Sequence, residues 1–563
     1  MMKTIIKISI ATCILLIIGS QSSKAQNTNY NEEIIVVSPY EPAIPDAYKI
    51  SFNPKIDDTD LHKPAVKYNF INSPISLPTP INRLPSVKIT SESTPPVMRS
   101  YIKAGAGNYR TFFGEIFFSS VKSKKFQYNL RAKHHSSAGK IKSLAPPKHT
   151  DNQFEANGNY FLKKHVVSSN LQFTRNAINL YGFHPDIFTE ALDINDIESI
   201  YNRVRVNFGI RNTKSYKNTV NHSINVGYNR VGGNKKQSED NFSINTHFNK
   251  DFSLFNTYKD QTIGLRLGYN FYNQRNEIKT YKSGIVNINP YINIPISDKF
   301  FVSAGFRADI RHDSVAKVQI SPMANVQYSL IDNKLKLYAN VSGKTQRNTL
   351  QSTLSENPFI SAVVPWQFTN NNLSIKAGFN ARMFTDFTFN GGISYDIYKN
   401  YGFYKTDNTS KFLNSFILSY NNAKKLSLFA NAAYNLTESW LISANLSYNV
   451  WQPDAEIHAW YKPKVEADVD IKYDIQEKII IRLGMYYKSK VWSQAHNIED
   501  EHYIISNIHL PQNINLNLGI EYRFSNSLSA WTNIDNILNR EVYSFDKYRQ
   551  YGINVLAGLS YCF

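Results

Sequence analysis

Only two cysteines, Cys13 and Cys562, occur in the 563 residues, which excludes a disulfide scaffold and any multi-cysteine metal site. After the first 25 residues no apolar run reaches the roughly 18 residues of a membrane helix. Mean hydropathy is −0.39, so a bundle of membrane helices is excluded. A membrane β-barrel is not, because its strands alternate in polarity and average out in any hydropathy window. Catalytic signatures are missing too: neither His-Glu-x-x-His nor Gly-x-Ser-x-Gly occurs. His134-His135, the single adjacent histidine pair, reads as solvated or interfacial rather than metal-binding. Ser342-Gly343-Lys344-Thr345 has the ending of a phosphate loop, but Tyr338 stands where that loop requires glycine. No enzyme, cofactor or metal site is expected.

What is present begins with a secretory signal over residues 1–25. Lys3 and Lys7 precede the apolar stretch Ile8 to Gly19, and Ser23-Lys24-Ala25 forms a small-x-small cleavage pattern before Gln26. Cleavage would remove three lysines and no acid from a chain of net charge +19, and would leave Cys562 as the one cysteine.

Residues 26–99 hold 11 of the 22 prolines, a density that forbids regular helices and interior strands. The segment reads as a Pro-rich extension on the periplasmic side. Within it Glu32-Glu33-Ile34-Ile35-Val36-Val37-Ser38 is a short β-prone run behind an acidic pair, able to pair with the sheet edge of a partner.

From residue 100 the texture changes to strict alternation. Ile263, Leu265, Leu267, Tyr269 and Phe271 interleave with Gly264, Arg266, Gly268 and Asn270. Val465 to Tyr473, Ile514 to Phe524 and Ile553 to Phe563 repeat the pattern. A period of two gives each strand one apolar and one polar face. Long strands, charges in rows such as Glu466, Asp468, Asp470 and Asp474, and aromatics near strand ends favour a barrel in lipid over a soluble sandwich. Tyr160-Phe161, Tyr338, Tyr401 to Tyr404, Tyr486-Tyr487, Tyr561 and Phe563 are assigned to interfacial girdles, and the acidic row to the lumen.

The fold class is therefore all-β: a transmembrane antiparallel β-barrel of about 22 strands over residues 100–563. Short turns at Lys122 to Lys125, Ile331 to Lys334, Leu436 to Trp440 and Ser525 to Ser527 are assigned to the periplasmic side. Long connections at Ser136 to Asp151, Asn176 to Glu198, Arg230 to Asp240, Thr345 to Asn371, Ser493 to Pro511 and Leu538 to Tyr551 go to the exterior.

The last stretch, Leu516 to Phe524 followed by Trp531-Thr532-Asn533-Ile534-Asp535-Asn536-Ile537-Leu538-Asn539-Arg540 and a closing strand ending in Phe563, resembles the TonB-dependent outer-membrane receptors, especially the barrels of Bacteroidota. That resemblance implies a barrel-assembly signal at Gly558, Leu559, Tyr561 and Phe563, read by the barrel-assembly machinery. It also implies that Glu33, Ile34, Ile35, Val36, Val37 and Ser38 are a TonB box, a strand captured by β-addition. An ordinary apolar patch for another periplasmic partner explains the same run. The family's plug domain has no counterpart in residues 26–99, so a wide lumen would need inward-folding loops, the N-terminal segment or a partner to occlude it.

Basic clusters at Lys122-Lys124-Lys125, Lys163-Lys164, Lys235-Lys236 and Lys424-Lys425 are placed mostly at strand ends, facing lipid headgroups, lipopolysaccharide or an anionic partner; nucleic acid is not expected. Two functions fit. One is a plugless receptor-type barrel in transport or binding at the outer membrane. The alternative is a non-transporting scaffold of an outer-membrane assembly or export complex, with a surface lipoprotein as a further partner.

Overall fold

The computed structural model describes residues 100–563 apart from 121–122, 186–192, 214–218, 255–258, 314, 385 and 500–501. The signal segment, the Pro-rich extension and Glu33 to Ser38 therefore lie outside the described residues. Twenty-two strands form one antiparallel sheet that closes on itself, as the alternation predicts. Closure joins the first strand, Ser100–Gly107, to the last, Asn554–Cys562, in the register Tyr101↔Cys562 to Gly107↔Leu556.

Burial is inverted relative to a soluble protein. Leu559 is 57 % exposed and Phe208 58 %, whereas Asp309 is 2 % and Glu239 1 % exposed. Outward positions are apolar because they face acyl chains; inward ones are polar because they line a wet lumen. Amides bridge neighbouring strands on the inner wall. Asn157 donates to Asn129 at 2.7 Å, Asn170 to Asn157 at 2.6 Å and Asn207 to Asn170 at 3.1 Å.

One rim carries the short connections 162–164, 332–334, 438–439, 476–478 and 524–527. In outer-membrane barrels short turns of this kind mark the periplasmic rim. Outward aromatics collect there: Phe118 meets Phe563 with ring centroids 5.8 Å apart, and Tyr561 stacks with Phe563 at 6.1 Å. The opposite rim carries 139–147, 180–197, 348–367, 407–415, 454–464, 489–512 and 536–553.

Several expectations need correction. Arg230 to Asp240 is not a long loop: strands run to Gly233 and resume at Ser238. Ser493 to Pro511 is mostly a separate hairpin, Val491–Glu499 with His502–Leu510. Tyr338 faces inward, where Asn390 Nδ2 donates to its hydroxyl at 3.3 Å, and Tyr404 is 2 % exposed, so neither belongs to a lipid girdle. Lys424-Lys425 lies inside the 22-residue strand Phe416–Thr437 rather than at its end.

Gly558 faces Gly105 across the seam, and the Trp531 indole lies over both. A Cβ on Gly558 would stand 1.9 Å from the Ala104 carbonyl oxygen and 2.6 Å from Gly105 Cα, main-chain atoms that cannot swing aside. Gly558→Ala should therefore weaken closure by about 1–3 kcal/mol or more. Gly114→Ala, whose Cβ meets nothing within 4 Å, should be neutral. Heat-modifiable migration in electrophoresis checks this: the folded band falls for Gly558→Ala alone.

Candidate functional site

Loops of the long-loop rim fold inward across the mouth and share a hydrophobic core. Leu350, Phe359, Val364 and Trp366 come from connection 348–367, Phe545 and Tyr548 from 536–553, and Tyr201, Tyr404 and Phe416 from the wall. Apolar side chains in these loops cannot face water cheaply, so they bury one another. Tyr548 is fully buried, stacked on Phe359 at 3.6 Å, and its hydroxyl donates to the Asn414 carbonyl. Walls far apart in the sheet are thereby tied together. Asn414 Nδ2 donates to the Leu180 carbonyl at 2.5 Å, Phe183 stacks on Phe412 at 4.4 Å, and Gln237 Nε2 donates to the Ser361 carbonyl at 2.8 Å.

The helix Leu350–Glu356 organises connection 348–367. Thr349 caps it, with its hydroxyl accepting from Ser352 N at 3.0 Å and Ser352 Oγ accepting in return from Thr349 N at 2.9 Å. Leu350 N donates to the buried Glu239 carboxylate at 2.5 Å, so the wall also meets the first turn of the helix.

Connection 454–464 brings Trp460, Tyr461 and Lys462 into the cap. Glu456 anchors it, accepting from Trp460 Nε1 at 2.9 Å, Ser419 Oγ at 2.9 Å and Lys405 Nζ at 3.2 Å. Burial alone would raise the Glu456 carboxyl; these donors outweigh it and hold it below the usual carboxylate range. Lys462 Nζ donates to Glu356 Oε1 at 2.7 Å and sits 5.3 Å from the Tyr401 ring centroid. Burial would lower its ammonium, but Tyr401 and Glu356 outweigh that and hold it above the ordinary lysine value.

Where the cap meets the wall lies a cavity of about 670 Å³. Lys425, Lys462 and Lys488 face Glu356 and Glu466 around it, among the rings of Tyr401, Trp451, Tyr461, Tyr486, Tyr543 and Phe545. Lys462 pairs with Glu356, and Lys488 stands 3.7 Å from Glu466, whereas Lys425 lies over the Trp451 ring at 5.1 Å. Such a cage of rings and ammonium groups suits an anionic, ring-bearing solute by stacking and charge.

Other sequence candidates do not converge. His134 lies on the outer wall against Asn152 at 2.7 Å, and His135 packs edge-on against Phe113 at 6.2 Å, because neighbours on a strand face opposite sides. Ser342 to Thr345 is strand, with a register shift between Ser342 and Lys344. The row Glu466, Asp468, Asp470 and Asp474 faces the lumen; Asn445 donates to Asp468 at 2.7 Å. Leu559 and Tyr561 point outward on the last strand. Sequence reading missed Lys462 and Tyr548 as parts of the cap. The dense run Trp460-Tyr461-Lys462-Pro463 in a connection was the available signal.

No protein-family model and no curated protein sequence matches the chain. Solved structures do. The pyoverdine outer-membrane receptor FpvA from Pseudomonas aeruginosa aligns over 84 % of this chain and 79 % of its own, at 10 % identity and a TM-score of 0.63. The barrel has the fold of outer-membrane siderophore receptors. The siderophore receptor PirA from Acinetobacter baumannii aligns over 83 % of this chain and 80 % of its own (10 % identity, TM-score 0.61). The ferric-catecholate import receptor Fiu from E. coli K12 aligns over 84 % and 82 % (11 % identity, TM-score 0.60).

Two variants probe the cap. Lys462→Met removes the cation from Glu356 and leaves it only the Tyr404 hydroxyl at 3.5 Å; since Glu356 is half exposed, the loss should be about 1–2 kcal/mol. Limited proteolysis within 348–367 should then speed up about tenfold. Asp546, buried in the turn between Tyr543–Phe545 and Tyr548–Arg549, is raised above the ordinary carboxylate value by burial, which Lys547 only partly offsets. A raised acid favours the folded cap when protonated. The stability it contributes is therefore full below the ordinary value and declines as pH climbs to the raised one. Amide exchange over Tyr543 to Arg549, corrected for intrinsic rate, should accelerate as pH rises above the ordinary carboxylate range. Asp546→Asn should flatten that slope.

Proposed function

We propose that this chain is an outer-membrane barrel of the TonB-dependent receptor type, of Bacteroidota kind and without a plug domain, acting in transport or binding of an anionic, ring-bearing solute. The observation that carries the reading is the caged cavity of lysines and rings beneath the cap, in a barrel with the receptor fold. FpvA, PirA and Fiu are siderophore or ferric-catecholate receptors, and a chelate of that chemistry would suit the same cage.

In this reading residues 1–25 are cleaved, residues 26–99 lie in the periplasm, and Glu33 to Ser38 is the strand that TonB captures. Gly558, Leu559, Tyr561 and Phe563 present the closing strand to the barrel-assembly machinery. Outer-membrane lipid and lipopolysaccharide surround the wall. Inward-folded loops take over the occluding duty of a plug, which requires that the cap open for passage.

The cap also favours a second reading. A mouth closed by the chain's own aromatic core suits a non-transporting scaffold of an assembly or export complex, its extension recruiting periplasmic proteins and its rim a surface lipoprotein. Deleting Glu32 to Ser38 separates the two. Solute uptake lost with the barrel still heat-modifiable supports the receptor. Uptake unchanged by the deletion removes the TonB role, and a stable set of co-purifying assembly proteins then identifies the scaffold.

A further inference from the structure

The wall is not laced along its whole height. Between the strands Lys317–Ile331 and Leu335–Arg347 the main-chain ladder runs from Ile331↔Leu335 up to Ala324↔Val341 and stops. Above that point Lys317 to Met323 pairs only with Phe300–His312, and Ser342 to Arg347 only with Phe368–Phe384. Divergence begins at the register shift between Ser342 and Lys344, from which the upper half of that strand leads into connection 348–367. Pro322 lies in the unpaired stretch; having no N–H to donate, proline belongs at a sheet edge. Side chains replace the ladder: Thr345 Oγ1 donates to Gln319 Oε1 at 3.1 Å, and Gln319 Nε2 to the Asn371 carbonyl at 3.3 Å.

The resulting cleft holds about 580 Å³. Its outer lip is apolar, with Val318 63 % and Ile320 70 % exposed. Its interior is cationic through Arg311, Lys317 and Lys399. Arg311 and Lys317 also line an adjoining cavity of about 340 Å³, where Lys279, Lys282 and Arg347 add three further cations. Against these stand Asp309 and Asp313. Asp309 is already engaged by Arg307 Nε at 2.7 Å, Asn287 Nδ2 at 2.7 Å and Thr345 N at 2.6 Å. Among the described residues Lys282, Arg311, Lys317 and Lys399 enter no ion pair.

An open sheet edge in hydrocarbon leaves main-chain groups without partners unless a polar cleft or a ligand supplies them. The ligand that matches an apolar lip in the long-loop half of the wall and an unneutralised basic interior carries acyl chains and a phosphate-bearing head. We infer that this lateral cleft binds a phosphorylated lipid of the outer leaflet, headgroup towards Arg311, Lys317 and Lys399, chains along Val318 and Ile320. Inorganic phosphate would use the cations and leave the lip bare. A peptide strand would use the edge and leave the charge unanswered.

Native mass spectrometry of the full chain, extracted in mild detergent and exchanged into a zwitterionic one, reads the occupant. Wild type should keep phosphorylated lipid, and Arg311→Gln/Lys317→Gln/Lys399→Gln should keep it less by on the order of a hundredfold, at about fivefold per cation. Heat-modifiable migration reports the fold, and the exposed single variant Lys399→Gln, with about a fivefold loss, serves if the triple variant fails it. Equal lipid in wild type and variants overturns the inference. So does displacement of the lipid by millimolar inorganic phosphate, which marks a free-anion site, or a bound polypeptide mass in place of lipid, which marks a strand acceptor.

Discussion

Inside a bilayer each main-chain N–H and C=O must find a partner within the protein, since no water is there to serve. A sheet meets that demand only by closing, and closing demands that Ser100–Gly107 lie against Asn554–Cys562. The rest of the architecture follows. Alternation becomes obligatory because each strand has lipid on one side and water on the other. Amide bridges such as Asn129–Asn157–Asn170 are affordable because they sit on the wet side. The two glycines at the seam admit the Trp531 ring, with Lys103 Nζ 4.2 Å from its centroid, where bulkier residues would prise the strands apart.

Above the wall a second and different principle operates. The cap is a conventional soluble core, assembled from loops that start on different parts of the ring and hold together by burying Phe359, Trp366, Phe416 and Tyr548. Its electrostatic ties run along its margins: Lys462 to Glu356, Lys405 to Glu456, and Lys411 to Asp196 at 3.5 Å. A lid with a greasy centre and ionic edges meets the wall at a cavity that retains both characters, and a solute there would face rings and ammonium groups together.

How much of this was legible depended on the range of the interaction. Strand period, strand number and the short turns are local, and the sequence displays them directly. Which side an aromatic serves is not local. Tyr401 to Tyr404 stands at a strand end, which fits both a lipid interface and a cap; the strand runs on past a register shift between Tyr398 and Tyr401, and the cap buries Phe403 and Tyr404. Lys424-Lys425 falls inside a wall strand because that strand, Phe416–Thr437, runs longer than its alternation shows. Contacts such as Tyr548 with Asn414 and Tyr181 with Arg549 span 134 and 368 residues and leave no periodic trace. Pro322 is an intermediate case: one residue in an otherwise regular strand, sitting where the lacing ends.

The position of the seam has a temporal consequence. Its two partners lie at opposite extremes of the barrel sequence, so the ring remains incomplete until the strand Asn554–Cys562 is in place. Every shorter intermediate carries two raw borders and a half-exposed greasy face, the state most prone to mispairing with other chains. Closure is thereby tied to the arrival of the final strand rather than to gradual progress, and loss of Asn554–Cys562 leaves a gap that no local repair can fill.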